Sequence, residues 1–91
     1  MYSLQAKLSF YIPHATSLKD KRQICRSAVE KARHKFNAAI AEVDTLDHVQ
    51  SLTIGIAVIS SEAGHVRELL ETVIRFLENN TDGELMDVEE L

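Results

Sequence analysis

The chain has 91 residues, a formal net charge of −4, 45% apolar and 26% charged residues, three glycines, one proline and one cysteine. That length holds one domain, and the apolar share is too high for disorder, so a single globular unit over residues 1–91 is expected. Lone Cys25 excludes an internal disulfide framework and a cysteine-based zinc finger, and no apolar run approaches the roughly 20 residues of a membrane helix.

Tyr2, Leu4, Ala6, Leu8, Phe10 and Ile12 alternate with Ser3, Gln5, Lys7, Ser9 and Tyr11. This is the period of a strand with one face on the core, and Pro13 ends it. Ser17-Leu18-Lys19-Asp20 then predicts a helix start, with Ser17 capping and Asp20 placed to return the hydrogen bond. Leu18, Cys25, Ala28, Val29, Ala32 and Phe36 follow on one side at helical spacing, with Ile24 at its edge. Asn37 and the run Ala38–Asp44 predict a helix end passing into a second strand. Its facing is ambiguous, because Ala38 and Ile40 are as apolar as Ala39, Ala41 and Val43.

Leu46–His48 supplies a turn, and residues 50–60 predict a third strand that is apolar on both faces, as suits a central position. Ser60-Ser61-Glu62 opens a second helix with the stripe Val66, Leu69, Leu70, Val73, Ile74 and Leu77. Asn79–Gly83 breaks that helix, and Leu85–Leu91 forms a short, acidic final strand. The order strand, helix, strand, strand, helix, strand with right-handed crossovers predicts an α+β ferredoxin-like βαββαβ sandwich: a four-stranded antiparallel sheet with both helices on one face.

Charge is divided along the chain. Residues 1–36 hold eight Lys or Arg against two acids, whereas the remaining 55 hold two against twelve. At the predicted helix start, amide N–H groups make an anion site, and Ser17, His14, Lys19, Lys21 and Arg22 gather there. Cations in a first turn oppose the helix dipole, so a sequence shaped for stability alone would place acids there. Arg22, Arg26 and Arg33 share one helix flank with Lys19 nearby, a track suited to bidentate phosphate contacts. The competing expectation is that these cations project into water or pair with acids such as Glu42 and Asp44.

Other chemistries of this architecture fail on residue content. Base stacking on the open sheet face needs aromatics on both central strands, and the third strand has none. The loop Pro13–Ser17 has neither the cysteine pair of a copper chaperone nor the arginine of an acylphosphatase. Glu42, Asp44, Asp47 and His48 lack a recognised metal-ligand spacing. Cys25 lies on an apolar stripe as a small hydrophobe, and no catalytic constellation assembles from spacing. No enzyme activity, metal or cofactor is therefore expected.

The stretch His14-Ala15-Thr16-Ser17-Leu18-Lys19-Asp20-Lys21-Arg22 resembles the His-x-x-Ser-Leu-Lys-Glu-Lys-Arg hallmark of the YlxP-like family of small bacterial proteins, with Asp20 in place of the usual Glu. Phe36-Asn37, Ala41–Asp44 and His65-Val66 extend the likeness over nearly the whole chain. The resemblance implies a ferredoxin-like fold and carries no settled activity. Because the family's genes lie among translation and ribosome-maturation genes, it implies an RNA or ribosomal partner.

The expected function is thus a non-enzymatic cytoplasmic module, with no signal peptide at Met1–Gln5 and no membrane or DNA signal. It would bind RNA or a ribosomal particle through His14, Ser17, Lys19, Lys21, Arg22, Arg26 and Arg33. The alternative is a homo-oligomer, most simply a dimer, or a small-ligand regulatory domain using the open sheet face, where Gly55 and Ala57 permit close approach.

Overall fold

Six elements follow one another in the computed structural model, which describes residues 1–91: β1 (Tyr2–Tyr11), α1 (Leu18–Lys35), β2 (Ala39–Glu42), β3 (Ser51–Ser60), α2 (Ala63–Asn80) and β4 (Glu84–Glu90). The strands form one antiparallel sheet in the order β2-β3-β1-β4. The ferredoxin-like arrangement is therefore present, with β1 and β3 central. Along β1 the register Leu4↔Val58, Ala6↔Ile56, Leu8↔Ile54 and Phe10↔Leu52 puts apolar partners on one face. Ile40 of β2 joins them opposite Ile56, which resolves the facing of that strand: Ile40 is buried, and Ala39, Ala41 and Val43 lie on the other side.

Both helices cover the apolar face. Val66, Leu70, Val73 and Leu77 of α2 are buried at helical spacing against β1 and β3. From α1, Lys21, Cys25, Ala28, Val29 and Ala32 are buried as the helix packs on β2 and α2. Phe36 and Phe76 close the far end edge to face, with ring centroids 5.4 Å apart and the Lys35 ammonium over both rings. No helix is long and apolar enough to cross a membrane.

Several boundaries differ from the sequence pattern for local reasons. β2 has only four residues, because Asp44 turns the chain with φ of 62°. The residues after it form a loop closed by the bond from His48 N to Thr45 O, at 3.0 Å. A bulge opposite Ser9 and Phe10 leaves Met86 unpaired, so β4 keeps its acids on an edge. The start of α2 has no side-chain cap; Ser60 Oγ instead accepts from Glu62 N and meets His65 Nδ1 at 2.8 Å.

Gly83 admits the chain to β4 through a close approach. A Cβ there would run into Ile12 Cδ1 and lie 2.9 Å from Tyr11 O. Gly83→Ala is expected to destabilise the fold by about 1–3 kcal/mol, seen as a lower urea midpoint at unchanged m-value.

Candidate functional site

The start of α1 is built as the sequence suggests, but its own groups occupy it. Ser17 Oγ accepts from Asp20 N at 3.1 Å, which makes Ser17 the N-cap. Asp20 returns its hydrogen bonds one residue earlier than expected, accepting from Thr16 N at 3.0 Å and Thr16 Oγ1 at 2.7 Å. These bonds from Thr16 hold the Asp20 carboxyl below its ordinary pKa of 3.8. His14 Nε2 lies 3.0 Å from Asp82 Oδ2, tying the β1–α1 loop to the turn before β4. The expected phosphate pocket at this helix start is corrected accordingly: Ser17 Oγ takes the Asp20 amide, His14 is held by Asp82, and the Asp20 carboxylate, bound to Thr16, adds negative charge beside the helix start.

Lys21 needs the larger correction. Its side chain is fully buried, with Nζ donating to Thr45 O at 2.6 Å and Leu46 O at 3.2 Å. Glu42 Oε2 lies 2.9 Å away, off the hydrogen-bond axis, so that contact is an ion pair held by charge. A buried ammonium is tolerated because one carboxylate and two carbonyls surround it. Lys21 therefore contacts no external anion and pins α1 to the end of β2. Its place was legible: residues 21, 25, 28 and 32 form one continuous buried stripe of α1.

Removing Lys21 from the expected cluster leaves a better-defined one. Arg22, Arg26 and Arg33 line a groove of about 360 Å³ between α1 and the free edge of β2, with Val29 and Cys25 at its base. None of the three makes an ion pair with a carboxylate. Glu30 and Glu42 also line the groove, but Glu42 is paired with Lys21. Lys19 is exposed one turn before Arg22 and likewise has no acidic partner.

Sequence reasoning missed how Arg33 is held. The bond from Val43 N to Thr53 O shows that alternate residues of β2 face β3, so Ile40 and Glu42 direct their backbone groups to the open edge. Arg33 Nε and Nη2 both donate to Ile40 O, the former at 3.0 Å. This caps an edge carbonyl and fixes the orientation of the guanidinium beside the groove.

The opposite sheet face carries a second feature. Ala39, Ala41, Gly55 and Ala57 floor a shallow depression of about 530 Å³, with Val43, Leu91, Lys7 and Arg33 around it. Lys7 Nζ reaches across to Asp44 Oδ2 at 2.8 Å, and that hydrogen bond holds its pKa above the ordinary 10.5. The carboxylates of Glu42 and Asp44 thus each face a lysine, on opposite sides of the β2 end. No three His, Cys, Asp or Glu side chains meet to hold a metal ion. Burial pushes the Cys25 thiol up to about 11, away from the thiolate a nucleophile needs.

Comparison with known proteins sets this geometry in a family. The sequence profile described as "Protein of unknown function (DUF503)" matches residues 4–90. The chain belongs to the DUF503 family. It is 31% identical over 74 residues to the uncharacterized protein YlxP of Bacillus subtilis (strain 168), covering 81% of this chain and 80% of that one. The YlxP-like resemblance carried by the His14–Arg22 stretch is therefore genuine. A de novo designed ferredoxin-fold protein, LFR1 1, superimposes with a TM-score of 0.60 at 11% identity, covering 100% of this chain and 84% of the design. That likeness supports the fold alone.

Two outcomes test the roles given to charged residues in this DUF503 member. Lys21→Met leaves Glu42 and two carbonyls without their cation and is expected to cost about 3 kcal/mol in urea unfolding. The lowered Asp20 pKa contributes stability that is complete above pH 3.8 and lost as pH falls through its folded value. The melting-temperature gap between wild type and Asp20→Asn should accordingly be open at pH 5 and close toward pH 2.

Proposed function

We propose that this chain is a non-enzymatic module that binds RNA by its phosphate backbone, through Arg22, Arg26 and Arg33 with Lys19 beside them. The observation that carries the reading is the α1–β2 groove. Three guanidiniums face one channel without carboxylate partners, and one of them is already oriented by the chain's own backbone. Arginine forks match phosphate oxygens, and preorganisation lowers the entropy lost on contact.

The absence of aromatics from the face of β3 argues for phosphate contacts that position RNA without reading its bases. RNA, in preference to another polyanion, follows from the translation-linked gene context that the YlxP-like resemblance implies. A binding role also fits the remaining polar groups. The Ser60–His65 pair has no carboxylate behind the imidazole, and Ser60 Oγ serves the backbone of Glu62.

Fluorescence anisotropy with a labelled single-stranded RNA tests this. About four phosphate contacts predict a slope near −3 in log K against log salt concentration. Arg22→Ala/Arg26→Ala should weaken binding by at least about tenfold and lower the slope by roughly one to two. Binding insensitive to salt, or unaffected in the arginine double variant, would remove the groove from the function.

A further inference from the structure

We infer that the open face of the sheet is a two-fold interface with a second copy of this chain. The register defines rows running straight across that face. One is Ala39–Ala57–Gln5–Leu91 and the next is Ala41–Gly55–Lys7–Glu89. Each row has small residues on the β2–β3 half and long ones on the β1–β4 half. The depression of about 530 Å³ is the low half of this profile.

A two-fold axis along the strands turns each row onto its own copy end for end. The low half of one copy then meets the high half of the other, at the roughly 10 Å spacing of packed sheets. Ala57 faces the second copy's Gln5, and Ala39 faces its Leu91, which is 63% exposed in the isolated chain. Such self-complementarity is what an isologous interface requires.

Charge follows the same symmetry. The β4 edge presents Asp87 and Glu89 on the open face, while Arg33 stands at the β2 edge of the depression. The axis that mates low with high also brings the acidic edge of each copy over Arg33 of the other. An axis across the strands would place acids over acids, so the charge pattern selects one orientation. At about 16 Å² of projected area per strand residue, the face offers roughly 500 Å² per copy. The total of about 1,000 Å² lies at the lower limit for a specific interface and predicts a weak, reversible dimer. Ile59 at 60% and Tyr11 at 42% exposure add apolar area to the same face.

Sedimentation equilibrium from low micromolar to several hundred micromolar tests this with the full chain. The wild type should approach twice the 10.2 kDa chain mass. Ala57→Arg, which fills the depression, should weaken association by about 100-fold or more while keeping a cooperative thermal transition. A charge exchange tests the orientation even if that variant fails to fold. Arg33→Glu alone and Asp87→Lys/Glu89→Lys alone should each lose self-association, and an equimolar mixture should form a heterodimer, because both of its edge contacts become attractive. A wild-type monomer throughout the range, a folded Ala57→Arg dimer of undiminished affinity, or a mixture that stays monomeric would each overturn the proposal.

Discussion

A single buried cation sets the geometry on which the candidate site depends. Lys21 leaves α1 toward the sheet and ends among Glu42, Thr45 O and Leu46 O, at the point where β2 gives way to its loop. Because β2 is only four residues long and lies at an edge, β3 alone holds it by strand pairing. The ammonium provides a second attachment. It fixes the separation and rotation of α1 relative to β2, and hence where the next turns of the helix place Arg22, Arg26 and Arg33.

The division of charge along the chain becomes a division in space. α1 and its arginines lie beside β2 at one edge, and the acids of β4 lie at the other. Within the fold few of these charges cancel one another: α1 contributes only Lys21 to the ion pairs between side chains of opposite formal charge, the others being Lys7–Asp44 and Arg67–Glu90. The protein consequently presents a basic groove and an acidic edge on opposite flanks. The groove of the proposed polyanion contact and the face of the proposed two-fold pairing are different surfaces, with Arg33 at their boundary.

Most of the architecture was legible because its signals are local. The alternation from Tyr2 to Ile12, the Ser17 cap and the α2 stripe from Val66 to Leu77 each report one element without reference to the others. The facing of β2 was hidden, since every residue from Ala38 to Ala41 is apolar; it is decided by pairing Ile40 with Ile56 across the sheet. Of the candidate site, part was legible and part was not. Lys21 looks like a surface cation until its helical phase with Cys25, Ala28 and Ala32 is weighed above its charge. The Arg33 contact depends on an edge carbonyl that exists only once β2 is paired. Asp20 shows a subtler limit: the helix-start motif was correct, yet its carboxylate answers Thr16 and so sets a negative charge beside the helix start.

The central claim is that Lys21 and Glu42 act as one buried unit joining α1 to β2. The most direct measurement is a double-mutant cycle in urea unfolding with Lys21→Met, Glu42→Gln and the double variant. A true buried pair gives a coupling of at least about 1.5 kcal/mol, the double variant being much less destabilised than the sum of the single ones. Effects that add within about 0.5 kcal/mol would show that the two residues act independently, and would contradict the anchoring of the groove.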